Sequence, residues 1–201
     1  MSTEDYLNDI TEIKDLMNKS TRFFSLSGLS GILAGIYALI GAGVAYYLVS
    51  ISGRSYLIIG GKIFRYILLD LGIVAFLSIT TGVLLSVRKS KNNGESLWNS
   101  TSKRLLGAFM VPLITGGIYI LIKLASHHYG LTGSLMLIFY GLALVNASKY
   151  TIGNVKYLGY VQIILGLICA VYPGYGFWFW VLGFGVMHII YGSLIYLKHD
   201  R

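Results

Sequence analysis

Charged residues are scarce in this chain, and the acidic ones are the scarcest. Aspartate and glutamate number 8 in 201 residues. Charged residues of both signs make up 12%, against roughly 25% in an average soluble domain. Hydrophobic residues make up 55%. This balance argues against an ordinary soluble domain and favours a protein that places most of its length in lipid.

Cysteine and the short motifs of common enzymes are also missing or nearly so. Cys169 is the only cysteine, which excludes an intrachain disulfide. The chain has no His-Glu-x-x-His, no Walker loop and no cysteine–histidine pair. His127 and His128 are adjacent, but two neighbouring histidines alone are weak evidence for a metal. We therefore predict no catalytic residue, no metal site and no cofactor.

Long apolar stretches are abundant instead, and we predict an all-α integral membrane protein with a six-transmembrane-helix bundle in residues 23–201. A spanning helix needs about 20 apolar residues. Spanning strands would alternate apolar and polar residues, and these stretches do not. The predicted spans are Phe24–Ser50, Tyr66–Val87, Leu105–Ala125, Leu131–Ser148, Val155–Tyr172 and Gly176–Leu197.

Lysine and arginine predict the orientation, because cytoplasmic loops carry an excess of both. Four of these residues fall on one side of the predicted bundle: Arg54, Lys62, Arg65 and Lys123. Twelve fall on the other: Lys14, Lys19, Arg22, Arg88, Lys89, Lys91, Lys103, Arg104, Lys149, Lys156, Lys198 and Arg201. We expect both termini on the cytoplasmic side of the inner membrane. The net charge of +8 then reflects topology and requires no nucleic-acid partner.

Residues 1–22 are predicted to form a cytoplasmic amphipathic helix. Tyr6, Ile10, Ile13 and Met17 recur at helical spacing. The segment is acidic, and an anionic lipid surface attracts lysine and arginine rather than acids. One interpretation is a helix packed on the cytoplasmic ends of the bundle. The other is a docking helix for another subunit or a soluble cytoplasmic protein.

Glycine is placed as in helices that pack closely. Gly28, Gly31 and Gly35 line one side of the first span, and small residues four apart let helices approach. Intramolecular packing and a homo-oligomer contact are the two interpretations. Tyrosine–glycine or threonine–glycine pairs at positions 81–82, 140–141 and 191–192 favour three tandem helical hairpins.

The last hairpin resembles a known family. Its glycines and proline, set in apolar sequence, are similar to a hairpin of the HdeD-like six-span bacterial membrane proteins. The residues concerned are Gly159, Gly166, Pro173, Gly183, Gly185 and Gly192. The whole chain is also similar to uncharacterised six-span bacterial proteins. The resemblance implies an envelope or acid-stress association and assigns no catalytic residue.

Two charged residues lie within predicted spans. An ionised aspartate near a helix centre costs about 2.5–3.5 kcal/mol on insertion scales. Asp70 should therefore face the bundle or water. Lys123 lies at a similar predicted depth. A structural Asp70–Lys123 pair, a solvated vestibule with a functional Asp70, and neither of these are the three alternatives.

His188 is the mid-membrane histidine of the sixth predicted span. Asn146, Gln162 and Thr80 fall in the inner halves of other spans and are possible hydrogen-bond partners. The residue is either structural or part of a proton relay. The predicted depth of His188 in the membrane also matches that of Ser30.

Ser30 lies in a Gly-Leu-Ser-Gly string that resembles the Gly-x-Ser-Gly of rhomboid intramembrane proteases. The serine is in the wrong span and on the wrong side of the membrane for that family, and the family's other motif is absent.

These observations favour a non-enzymatic multi-pass membrane protein, a structural or regulatory envelope component with lipid around it and a cytoplasmic partner. The first alternative is a small-solute or proton-linked transporter or channel that uses Asp70 and His188. The second is an intramembrane hydrolase.

Overall fold

A computed structural model of the chain describes residues 27–51, 61–92, 100–151 and 155–199. Nearly all of these residues are helical, and no strand occurs among them. The all-α prediction is therefore confirmed for this part of the chain, whereas the predicted N-terminal helix lies outside it. The first five helices are α1 (Gly28–Ile51), α2 (Gly61–Asn92), α3 (Ser100–Ala125), α4 (Thr132–Ala147) and α5 (Val155–Val171).

The last helix, α6, changes its winding in the middle. It consists of α-helical Gly176–Trp180, a π-helical segment Val181–Met187 and α-helical His188–His199. Short 3-10 turns, Ser148–Tyr150 and Pro173–Tyr175, follow α4 and α5. π-Helical turns are rare and widen a helix locally. This π-helical segment of α6 contains the buried Gly183 and Gly185.

Most of the helices have the length and composition of membrane spans. Four segments are long and apolar enough to cross a bilayer: α1, α2, α3 and Pro173–Lys198. α4 has 16 residues and α5 has 17, which is short of the usual length. Large apolar side chains are exposed on α2 and α3, where Phe76 is 69% and Val111 is 66% exposed. Soluble monomers rarely expose such continuous apolar surface, so these helices fit a membrane protein.

The helices follow a definite packing order. α1 packs against α2 on one side and α6 on the other, and α4 packs against α3 and α5. α6 also contacts α4, which joins the two groups. Within the described ranges, α2 and α3 share no extended contact. α1 and α4 are therefore the central helices, and α2 and α3 lie at the margins.

Glycine permits the α1–α6 contact. A Cβ on Gly35 would lie 2.7 Å from the carbonyl oxygen of Gly185. A Cβ on Gly192 would lie 2.7 Å from the carbonyl oxygen of Gly28, and one on Gly31 would lie 3.1 Å from the Cα of Gly192. Such backbone contact is available only where side chains are absent. The glycine face of α1 thus packs within the chain, as the intramolecular interpretation expects.

The three predicted hairpins are not equivalent in packing. α1–α2 and α3–α4 pack as neighbours, but α5 lies mainly against α4 rather than α6. Corresponding glycines also differ: Gly141 and Gly192 lie at tight crossings, whereas a Cβ on Gly82 would meet nothing within 4 Å. The helix partners are set by where glycines allow approach, and this differs from one hairpin to the next.

Replacing Gly141 by alanine tests the close crossing of α4 and α5. The new Cβ would lie 2.7 Å from the carbonyl oxygen of Gly159 and 2.9 Å from the amide nitrogen of Ile163. Because backbone atoms must shift, we expect a loss of about 1–3 kcal/mol in unfolding free energy. Denaturant unfolding in detergent measures it. The matched control is Gly82→Ala, which should not destabilise, and equal losses in both variants would contradict the packing described here.

Candidate functional site

The polar centre of the bundle is built around the carbonyl oxygen of Gly183 in the π-helical segment. Gly183 packs against α4 and α5, where a Cβ would meet the side chain of Leu137 and lie 2.6 Å from Oε1 of Gln162. Only a glycine fits this space. The missing side chain lets α4 and α5 approach Gly183 closely enough for neighbouring side chains to reach its carbonyl oxygen.

Two side chains donate to this carbonyl. Gln162 Nε2 of α5 donates to Gly183 O at 2.8 Å. His188 Nδ1 of α6 lies 2.9 Å from the same oxygen. Tyr140 of α4 completes the group, with its hydroxyl 2.8 Å from His188 Nε2. One carbonyl and one imidazole therefore connect α4, α5 and α6.

The bonding partners determine the histidine tautomer. A carbonyl oxygen only accepts, so His188 Nδ1 must carry the hydrogen. In the neutral ring, Nε2 is then the acceptor, and the Tyr140 hydroxyl donates to it. Both ring nitrogens of His188 are therefore hydrogen-bonded within the protein.

Burial and aromatic packing enclose the group. Gln162 is 0% and His188 7% exposed. The Tyr140 ring centroid lies 5.4 Å from that of His188 and 5.1 Å from that of Phe184. The ring centroids of Phe184 and Trp180 are 5.2 Å apart. Hydrogen bonds in such an apolar setting are electrostatically stronger than in water.

Three buried polar atoms in this region have no hydrogen-bond partner among the described residues: Gln162 Oε1, Trp180 Nε1 and Tyr191 Oη. Tyr191 and Tyr140 pack against the same apolar cluster of Leu144, Val155 and Leu158. Buried polar groups normally find partners. Both nitrogens of His188 and the Gln162 amide nitrogen are therefore hydrogen-bonded, whereas three polar atoms near them have no partner among the described residues.

Asn146 forms a hydrogen bond between a second pair of helices. Its Nδ2 donates to the carbonyl oxygen of Ala108 in α3 at 2.7 Å. It therefore joins α4 to α3 and is not a partner of His188. Among the residues predicted from their depth, Gln162 meets His188 through the shared carbonyl, and Asn146 does not.

Tyr140 is the residue that the sequence interpretation missed. In the sequence, Tyr140 stands out only as one half of a tyrosine–glycine pair, because an aromatic residue in an apolar stretch carries no signal of a polar role. The role of the Tyr140 hydroxyl is evident only from the packing of α4 beside α6, which brings it to His188.

Asp70 and Lys123 do not form the predicted pair. No ion pair joins them in the part of the chain that the structure describes. The Asp70 carboxylate faces α1, where its two oxygens would lie 3.2 and 3.5 Å from a Cβ on Gly41. The Lys123 ammonium lies 5.7 Å from the ring centroid of Tyr119 in its own helix. Similar depth was a poor guide, because α2 packs on α1 and α3 packs on α4.

Asp70 and His188 lie on opposite sides of α1. Gly41 of α1 contacts Asp70, whereas Leu39 contacts Gly185 of α6. Residues two apart on an α-helix point in nearly opposite directions. α1 therefore separates the carboxylate from the buried histidine, and the described residues do not bring the two into one site.

Ser30 does not pair with His188 either. Its hydroxyl donates to the carbonyl oxygen of Ser27 at 2.6 Å. Both ring nitrogens of His188 are occupied by Tyr140 and Gly183. The serine–histidine arrangement of a hydrolase is thus not formed.

His127 takes part in a turn. It has a φ of 59°, in the left-handed region, and it ends α3 where glycine is usual. Its Nδ1 lies 2.9 Å from the hydroxyl of Tyr129. Among the described residues, no group of three or more histidine, cysteine or acidic side chains is placed to hold a metal ion.

The chain matches no protein-family model, no curated protein and no solved structure. The similarity of the last hairpin to HdeD-like proteins stays a prediction. The five glycines of that similarity all lie at close contacts with α1, α4 or α5: Gly159, Gly166, Gly183, Gly185 and Gly192. The pattern is accounted for by packing.

A double-mutant cycle of Tyr140→Phe and His188→Phe tests the buried hydrogen bond. The hydroxyl donates to the imidazole at 2.8 Å, so each single variant should lose most of what the double variant loses. Hydrogen bonds between membrane helices are worth about 0.6 kcal/mol on average and up to about 1.7. We expect a coupling free energy in that range from unfolding in detergent.

Tyr160→Phe is the matched control for this cycle. It removes the same hydroxyl from a tyrosine that is 47% exposed on α5. It should show no coupling to His188→Phe. Additive losses for Tyr140 and His188 would mean that the bond contributes nothing to stability.

Proposed function

We propose that this chain is a non-enzymatic multi-pass protein of the inner membrane, a structural or regulatory component of the envelope, with both termini in the cytoplasm. The observation that carries the proposal is the bonding of His188: its Nε2 accepts from Tyr140 and joins α6 to α4, and its Nδ1 donates to Gly183 within α6.

Membrane crossing by all six helices is supported by their geometry. α4 and α5 are about 24 and 26 Å long at 1.5 Å per residue, against an apolar bilayer core of about 30 Å. The 3-10 turns after both helices add to these lengths. Local thinning of the bilayer accommodates the remainder at modest cost.

The charge distribution supports the orientation. α1 runs antiparallel to α2 and α6, and α4 runs antiparallel to α3 and α5. α4 and α6 run parallel, with Gly133 against Gly176 and Tyr140 against His188. All six helices therefore alternate in direction, and eight described cations collect at one end of the bundle, against three at the other. The eight are Arg88, Lys89, Lys91, Lys103, Arg104, Lys149, Lys156 and Lys198.

A transporter is supported less well. It was predicted to use Asp70 and His188 together, and α1 stands between them. Asp70 remains a carboxylate with no ion pair among the described residues, half-buried at the α1–α2 contact. On our proposal, this carboxylate is tolerated because it lies at the margin of the bundle and is only partly buried.

Reporter fusions test the topology. Fusions after Asn92 and after Arg201 should report the cytoplasm, and a fusion at Gly130 should report the outside, because lysine and arginine remain on the cytoplasmic side. An external C-terminus, or a cytoplasmic Gly130, would contradict the six-span arrangement.

His188→Gln separates the structural role from transport. Glutamine keeps hydrogen bonding but does not titrate between pH 5 and 8. We expect the variant to insert and to support the native phenotype or partner binding throughout that range. We also expect no proton-coupled flux from the wild type in proteoliposomes. Reproducible flux that disappears in His188→Gln would establish the transporter instead.

A further inference from the structure

The cytoplasmic ends of α3, α4 and α5, as our proposed function orients them, converge on one surface. Asn146 near the end of α4 bonds to Ala108 of α3. The turn Ser148–Tyr150 lies against α3, and Leu144 of α4 packs with Val155 at the start of α5. These contacts bring the basic residues at the three helix ends to one rim of the bundle.

Three exposed cations lie along this rim: Arg104 on α3, Lys149 after α4 and Lys156 on α5. Arg104 is one turn before Ala108, the residue that Asn146 reaches. Asp70 is the one acidic residue in the described ranges, and it lies on α2. The rim is therefore a concentration of positive charge with no acidic side chain from the described residues to neutralise it.

An aromatic and apolar surface continues from these cations along α5. The Lys156 ammonium lies 5.1 Å from the ring centroid of Tyr157, which is 53% exposed. Tyr160 lies one turn on, with its ring 6.4 Å from that of Tyr157. Below them, Ile164 and Ile168 are 56% and 42% exposed. Charge, then tyrosine, then aliphatic surface is the polarity sequence of a lipid molecule.

We propose that this surface, formed by Arg104, Lys149, Lys156, Tyr157 and Tyr160, binds an anionic phospholipid of the cytoplasmic leaflet. The phosphate lies among the three cations, the tyrosines lie at the headgroup level, and an acyl chain follows Ile164 and Ile168 on α5. The proposal rests on the membrane orientation given above.

An anionic lipid fits this surface better than the other anions available to it. Free phosphate would use the cations and leave the apolar face of α5 without a role. The acidic segment 1–22 matches the charge and carries apolar residues, but it is predicted to lie in the cytoplasm, whereas Ile164 and Ile168 lie more than two turns into the fifth predicted span. A phospholipid supplies a charged head and an apolar tail at the same relative depths as the surface.

The test measures lipid binding by full-length protein in neutral detergent. Phosphatidylglycerol is titrated, with phosphatidylcholine as the uncharged comparison, and bound lipid is counted by native mass spectrometry. The inner variant carries Arg104→Gln, Lys149→Gln and Lys156→Gln. The matched outer variant carries Lys62→Gln, Arg65→Gln and Lys123→Gln, which removes the same charge from the opposite end.

We expect phosphatidylglycerol to bind the wild type and the outer variant equally, and phosphatidylcholine to bind weakly. Each cation near an anionic surface is worth about fivefold in binding, so the inner variant should bind on the order of a hundredfold more weakly. Tyr157→Ala should weaken binding further without changing the charge. Equal losses in the inner and outer variants would reduce the effect to net charge and overturn the proposal.

Two further arms identify a different occupant. Glycerol phosphate that competes fully with the lipid would show that the head alone is recognised. A full-length variant with Glu4→Gln, Asp5→Asn, Asp9→Asn, Glu12→Gln and Asp15→Asn should bind lipid like the wild type. If only that variant bound lipid, the acidic segment would be the occupant. Carbonate extraction of membranes reports insertion separately, so failure of the membrane assignment is distinguished from failure of the lipid site.

Discussion

Backbone contact between helices is the constraint on which the rest of the structure depends. Helices in lipid gain little from burying apolar side chains against each other, so close packing and interhelical hydrogen bonds must hold them. Glycine makes that packing available at the α1–α6 crossing, through Gly35 and Gly185, and at the α4–α5 crossing, through Gly141 and Gly159. Where glycine faces open space, as at Gly82, no crossing forms.

The polar centre follows from the same constraint. Gly183 lets α6 approach α4 and α5 closely enough for Gln162 and His188 to share its carbonyl oxygen. Tyr140 then occupies the remaining nitrogen of His188. The group has the features expected of a packed junction, since Gln162 and Tyr140 both donate to α6 from other helices. The exposed polar chemistry of the described chain lies elsewhere, at the basic ends of the helices.

The helices were predictable, because apolar length is a local property of a sequence. The six helices occur where the apolar stretches predicted them, and Gly28, Gly31 and Gly35 lie at a helix contact. The choice of neighbours was not predictable in the same way. Depth in a membrane paired Asp70 with Lys123, but their helices pack on different partners. Tyr140 gave no sign of its role, since a hydroxyl in an apolar stretch has meaning only beside the residue that it meets.

The account depends most on His188 being locked between a carbonyl oxygen and a tyrosine hydroxyl. Nitrogen-15 NMR of the protein labelled at histidine, with His188→Gln used to assign the signal, observes this directly. The account predicts one His188 species with the hydrogen on Nδ1 and an accepting Nε2, and a shift of the Nε2 signal in Tyr140→Phe. A hydrogen on Nε2, or an Nε2 signal that ignores Tyr140→Phe, would contradict it.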